Sequence, residues 1–275
     1  MTDWPQDYAG AWTLAADVER RGVGLHSGEE AAVRLTPSER PGFHLRFKDA
    51  PEPIQLSPDQ VRDSPLCTTL DFGHRRVATV EHLLAALAGC GLSHVEIVVD
   101  GQEVPLLDGS ALGWVEAIAE VGFEPAASER PAAPQLEHPV VRYRGNSVIT
   151  ATPADRFSLV GIIDFPQAAI GRQQLTLELT PQRFVEEIAP ARTFGFREQV
   201  DQLRAAGLIK GGGLDNALVC DGDSWLNPPL RFPDEPVRHK LLDLIGDLAL
   251  VGFPQAQVLV YRGSHGLHTD LAAAL

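Results

Sequence analysis

Two stretches of this 275-residue chain carry a histidine at the same place in the same pattern: 80–89 (VEHLLAALAG) and 237–246 (VRHKLLDLIG). The Val, the His, two Leu and the final Gly coincide, and each stretch runs on into a β-rich segment, VEIVVDG at 95–101 and VLVYRG at 258–263. This is the mark of an internal duplication. If the two halves pack face to face, His82 and His239 meet at one site. His239, Asp243 and Asp247 follow one another at intervals of four, so they lie along one face of a helix. Two histidines and a carboxylate, with no cysteine among them, suit a catalytic zinc site that keeps a position open. Glu81, beside His82, is the spare carboxylate.

Each feature has a plainer reading. A lone histidine in an apolar helix is usually a satisfied core residue, and a His–Asp pair four residues apart contributes only some tenths of a kcal/mol. The duplicated position, the His239–Asp243 spacing and Glu81 together bring the metal reading level with the plain one. His265, in RGSHGLH at 262–268, reads by itself as a cap or exposed loop histidine. With Asp247 nearby it would be held protonated and could serve as a general acid. The Gly211–Gly213 run beside Lys210 lacks the Gly-Lys-Ser/Thr of a phosphate loop and leads into a strand, so it reads as a close-packed turn.

The elements that must position these residues follow from periodicity. Alternation in WTLA from Trp12, AVRL from Ala32 and FHLRF from Phe43 predicts half-buried antiparallel strands. A helix is expected at 80–89, a strand at 95–99, and a second helix beginning near Asp108-Gly109-Ser110, with Asp or Ser as its cap. The stretch EPAASERPAAP, 124–134, shows no apolar face and predicts a linker. The same grammar then repeats, with strands at 140–143, 147–151, 157–163 and 174–179, a helix at 237–250, a strand at 257–261 and a last helix from 265. The expected fold is α+β: two similar domains, 1–126 and 136–275, joined by a linker at 127–135. Each domain is a mainly antiparallel sheet with two helices, and the helices are sandwiched between the sheets. Residues 195–219 read as an insertion in the second repeat, beginning with a helical piece.

Composition narrows the partners. Hydrophobic residues at 44% and charged residues at 22% describe a globular chain with a substantial core. A net charge of -14 argues against nucleic acid or an anionic membrane as partner, since both need a basic face. Cys67, Cys90 and Cys220 occur singly, without CxxC spacing, which fits a reducing compartment. The N-terminus shows no signal-peptide pattern and no apolar run approaches the ~20 residues of a membrane helix, so a cytoplasmic location without membrane insertion is expected.

Longer motifs carry a resemblance. GVGLHSG at 22–28, TVEHL at 79–83, PLLDGSA at 105–111, ARTFGF at 191–196, GLIKGGGLDN at 207–216 and VRHKLLDLIGD at 237–247 stand in an order that resembles the zinc-dependent UDP-3-O-acyl-N-acetylglucosamine deacetylases of lipid A synthesis. The resemblance covers nearly the whole chain and implies a pair of similar α+β domains. It implies His82, His239 and Asp243 as zinc ligands and Glu81 as general base. Thr193 would stabilise the oxyanion, and His265 would be the cationic partner, oriented by Asp247. Lys240 and Arg262 are implied at the nucleotide phosphates, Phe194 at the sugar, and His26 at the edge of the site. The 195–219 segment resembles the family's hydrophobic passage for the acyl chain.

Two departures stand out. SHGLH at 264–268 replaces the family's Gly-His-Ala-Leu-Asn, and Gln199 stands where an acidic residue is usual. The implied partner is the acylated UDP-sugar, with no nucleic acid, and the expected state is a monomer. A non-catalytic binder of acylated sugar nucleotides would have no need of Glu81. A zinc amidase acting on another N-acyl sugar is the remaining alternative.

Overall fold

The computed structural model of the chain describes residues 2–64 and 66–275. In the first half the order is β1 (Trp12–Leu14), β2 (Val18–Val23), β3 (Glu30–Pro37), β4 (Gly42–Phe47) and β5 (Ile54–Gln55). A small sheet follows, of β6 (Val61–Arg62), β7 (Thr69–Asp71) and β8 (Arg76–Val77). Helix α1 (Glu81–Gly89), β9 (His94–Asp100), α2 (Leu112–Val121) and β10 (Phe123–Pro125) complete it. The second half holds β11 (Val140–Arg144), β12 (Ser147–Pro153), β13 (Ser158–Asp164) and β14 (Arg172–Glu178), then a turn α3 (Pro181–Arg183) running into a π-helical turn at Phe184–Ile188. Next come β15 (Phe194–Phe196), α4 (Arg197–Ala205), β16 (Leu218–Asp221), β17 (Ser224–Trp225), α5 (Glu235–Leu248), β18 (Ala256–Tyr261) and α6 (His265–Ala272).

The duplication is visible in the strand pairing. β9 runs antiparallel to β3 and parallel to β4, with β2 beyond β3 and β5 beyond β4. β18 repeats this, antiparallel to β12 and parallel to β13, with β11 and β14 outside. In each half a helix precedes this late central strand and another follows it. β13 alternates between buried and half-buried positions along its whole length, the period of a sheet with one face on a core. One apolar core joins Val33, Leu35 and Ile97 of the first sheet to Ile149, Leu159 and Val258 of the second, through the leucines of α1 and α5. Every residue of α1 is buried, as befits a helix packed on all sides between two layers.

Several details differ from expectation. Helix α2 has Ala111 in the N-cap position, and of the two expected caps it is Ser110 that serves, its hydroxyl accepting the Leu112 N–H at 3.1 Å. Asp108 is drawn away by Ser110 and by the Arg231 guanidinium, 2.7 Å from its Oδ2. Glu124 and Pro125 pair with β1, so the irregular segment begins only after them. That segment is tethered: the Ser128 hydroxyl donates to the Glu39 carbonyl at 2.6 Å, and Arg130 donates to the carbonyls of Gly10 and Gly91. No pattern pointed to the π-helical turn. No helix among the described residues is long and apolar enough to cross a membrane.

Candidate active site and metal centre

The site lies where α1 and α5 meet. A Cβ at Gly246 would strike the carbonyl of Glu81, so the missing side chain lets the two helices touch backbone to backbone. This approach brings the His82 and His239 rings to 5.0 Å between centroids, nearly perpendicular. The entry to α1 is strained, with Thr79 in the left-handed region at φ 58. Glu103 holds it there: its Oε1 accepts from the Thr79 hydroxyl at 2.9 Å. The same carboxylate accepts the backbone N–H groups of His26 and Ser27, which ties the His26 turn to the start of α1. Glu235, fully buried at the start of α5, accepts from the Arg192 side chain and main chain and so fixes the segment leading to Thr193 and Phe194.

The donor atoms of His82, His239 and Asp243 all lie within 4.8 Å of one another, on buried side chains. His239 Nδ1 lies 3.1 Å from the Ala191 carbonyl, which can only accept, so the ring proton sits there and Nε2 is left bare. Burial pushes the His239 imidazole down to about 3, so it stays neutral. Asp243 stays ionised, well below the usual carboxylate range. Burial works against this but is outweighed, with the Lys240 ammonium 2.8 Å from Oδ2 as the cation beside it.

Two lone-pair atoms, His239 Nε2 and Asp243 Oδ1, therefore face each other at 3.3 Å, with His82 Nε2 at 3.7 Å from the same oxygen. Asp243 Oδ1 has no hydrogen-bond partner among the described residues. Such an arrangement is repulsive unless a cation lies between. Ligands at about 2.1 Å around a tetrahedral ion stand about 3.4 Å apart, close to the 3.3 and 3.7 Å that separate Asp243 Oδ1 from the two imidazole nitrogens. The residues fit a metal.

Beside this cluster stands a second one. Glu81 Oε2 accepts the Thr68 N–H at 3.0 Å, and burial lifts its carboxyl to about 7 against the pull of His265. His265 Nε2 is 3.7 Å from Glu81 Oε1, and its Nδ1 is 3.1 Å from Asp247 Oδ2. Burial alone would lower the His265 pKa. Asp247, then Glu81, overcome it and hold the imidazole up at about 10, so the ring is a cation.

His268 donates from Nδ1 to the same Asp247 oxygen at 2.9 Å, but its Nε2 is buried without a partner among the described residues and packs toward Gly263. Burial lowers its pKa. His265 faces the open cavity; His268 stands behind Asp247. Sequence reasoning missed Thr68 and Glu103. Neither belongs to a periodic pattern, and their partners are brought near only by the fold.

A cavity of about 630 Å³ opens onto Glu81, His82, His239, Asp243 and His265, and its wall also includes Thr193, Phe194, Lys240 and His26. The Thr193 main chain is fixed on both sides, by Gly109 at 2.7 Å and Leu218 at 2.8 Å. Lys240 is not free: its Nζ donates to Asp243 Oδ2 at 2.8 Å and lies 5.5 Å from the Phe194 ring centre. Arg262 donates to Asp164 at 2.9 Å, one residue before the cavity-lining Gly263. Both ring nitrogens of His26 lack protein partners among the described residues. Phe194, Phe196, Val200, Leu203, Leu214 and Leu226 make one arm of the cavity apolar. The Gly211–Gly213 turn is close-packed, as expected: the Gly211 N–H donates to the Leu25 carbonyl at 3.0 Å, and a Cβ there would strike Gly24.

Known proteins are similar to this chain in sequence. The family profile of UDP-3-O-acyl N-acetylglycosamine deacetylase matches residues 11–275. The chain is 50% identical over 268 residues to a UDP-3-O-acyl-N-acetylglucosamine deacetylase of Thermosynechococcus vestitus, covering 96% of this chain and 93% of that protein. It is 47% identical over 265 residues to one of Synechocystis, covering 94% and 96%. It is also 42% identical over 284 residues to a protein of Arabidopsis thaliana named probable UDP-3-O-acyl-N-acetylglucosamine deacetylase 1, mitochondrial, covering 96% and 87%. With a match that spans almost its entire length, the chain belongs to the UDP-3-O-acyl N-acetylglycosamine deacetylase family.

Proposed function

We propose that this chain is a zinc-dependent hydrolase. It removes the N-acetyl group of UDP-3-O-acyl-N-acetylglucosamine to give UDP-3-O-acyl-glucosamine and acetate, the committed step of lipid A biosynthesis. Family membership supports the substrate. The observation that carries the chemistry is the bare, converging donor set of His82, His239 and Asp243 beside a buried carboxyl and a buried imidazolium. Nitrogen and oxygen donors in a two-histidine, one-carboxylate set suit zinc, which His82, His239 and Asp243 would hold at the cavity wall. With zinc held by these residues, the site would gain Lewis acidity toward the amide carbonyl and a water of lowered pKa.

The chain's own groups do the rest. Glu81, with a pKa near 7, is poised to take the proton of the attacking water. The His265 cation and the Thr193 hydroxyl face the carbonyl and stabilise the charge that develops on its oxygen. The leaving amine is then protonated from Glu81 or His265, which stand 3.7 Å apart. Phe194 contacts the sugar, and His26 lies at the edge of the site. Lys240 and Arg262 supply positive charge for the diphosphate, and the apolar arm takes the acyl chain. All of these residues belong to a single chain, so a monomer suffices. Three buried free cysteines suit a reducing, cytoplasmic setting.

The test is a deacetylation assay on the acylated UDP-sugar, with metal analysis of the same sample. Release of acetate by zinc-loaded protein is expected. Loaded, folded protein that releases none would overturn the reading.

A further inference from the structure

Thr68 is 1% exposed and does not line the cavity, yet it touches the machinery of both halves. Its N–H donates to Glu81 Oε2 at 3.0 Å. Its hydroxyl donates to Asp247 Oδ1, 179 residues away in sequence, and its Oγ1 stands 3.1 Å from His265 Nδ1. A hydroxyl has one proton to give and lone pairs to offer. Asp247 is an acceptor only, so the proton goes to Asp247 and a lone pair faces the His265 Nδ1–H. His265 Nδ1–H thus lies between two acceptors, Thr68 Oγ1 and Asp247 Oδ2, each at 3.1 Å.

We propose that Thr68 is a positioning residue for the reaction: its main chain holds the Glu81 carboxylate, while its hydroxyl locks Asp247 and the His265 ring in the orientation that points His265 Nε2 at the cavity. This rests on the reading of Glu81 and His265 as the proton-handling pair. The two functions of Thr68 separate cleanly. Thr68→Val keeps the N–H to Glu81 and the side-chain shape but removes the hydroxyl. Asp247 Oδ1 then loses its donor, and the imidazole is held from one side only. Thr68→Ser keeps the hydroxyl and loses a methyl group. Because Thr68 does not reach the cavity wall or any of the three metal-facing atoms, neither substrate binding nor metal content should follow the hydroxyl.

The experiment compares wild type, T68V and T68S for kcat and KM on the acylated UDP-sugar and for metal content. It also compares the Nδ1–H proton resonance of His265 in protein with ¹⁵N-labelled histidine, assigned by its loss in H265Q. In T68V kcat should fall roughly 10- to 100-fold, the worth of a hydrogen bond to a charged group, with KM within about twofold and metal unchanged. The His265 resonance should move, and T68S should restore both. Wild-type kcat in T68V, an unmoved resonance, or a T68S loss equal to that of T68V would overturn the proposal. If wild type itself fails to deacetylate, the functional reading falls while the resonance still judges Thr68. If T68V does not fold, T68A is read in the same way.

Discussion

Replacing Glu81 by Gln keeps the shape of the side chain and an oxygen for the Thr68 amide, but removes the capacity to take a proton. Two consequences follow. The first is kinetic: kcat should fall by roughly 10²–10⁴, the usual worth of a positioned general base, while metal content and KM stay near wild type. Metal is retained because Glu81 is not one of the three converging donors. The second is thermodynamic and concerns the metal-free protein. The folded-state pKa of Glu81 is raised from 4.5 to about 7, chiefly by burial. Between those values the folded state keeps a proton that the unfolded chain has lost, so stability falls as pH rises through the window. The gap corresponds to about 3 kcal/mol once both states are ionised. The attraction between ionised Glu81 and the His265 cation is already contained in that folded-state pKa and is absent from E81Q, so the pH slope is the diagnostic. Urea melts of chelated protein from about pH 5 to about pH 8 should show wild type losing about 2–3 kcal/mol relative to E81Q. Near-normal turnover in E81Q, or parallel stability curves, would refute the reasoning.

Asp247→Asn tests the cation. In the proposed reaction His265 acts protonated, so activity should be lost as pH rises through its pKa, held near 10 mainly by Asp247 against burial. Without that charge the basic limb of kcat/KM should move to lower pH in a pH–rate profile, and an unmoved limb would remove Asp247 from the role. Gly246→Ala tests the helix crossing. The added Cβ meets the Glu81 backbone, which cannot swing aside as a side chain would. Urea or thermal unfolding should show a loss of about 1–3 kcal/mol or more, with lower kcat. A neutral substitution would mean that the helices are not in backbone contact.

Much of this architecture was legible because it is periodic and repeated. The Val-x-His pattern, with its matching Leu and Gly positions, marks α1 and α5, and spacing by four marks the shared face of His239, Asp243 and Asp247. Gly246 is part of that repeat, and its reason is steric. What sequence could not display depends on pairs made by the fold. Thr68 meets Asp247 across 179 residues, and Glu103 joins the His26 turn to Thr79. Lys240 sits three residues before Asp243, so its pairing with that carboxylate was within reach of helical spacing. The family resemblance implied a place at the nucleotide phosphates instead. Of the two expected α2 caps, Ser110 serves, while Asp108 found a partner in Arg231, 123 residues away.

The central claim is that His82, His239 and Asp243 hold a catalytic zinc ion. It is tested most directly by metal content and acetate release measured together on wild type and His239→Ala. Wild type should carry about one zinc per chain. Chelation should abolish turnover and added zinc should restore it, while folded H239A should lose most of the metal and the activity. Folded H239A that kept its metal, or chelated wild type that still released acetate at the full rate, would contradict the account.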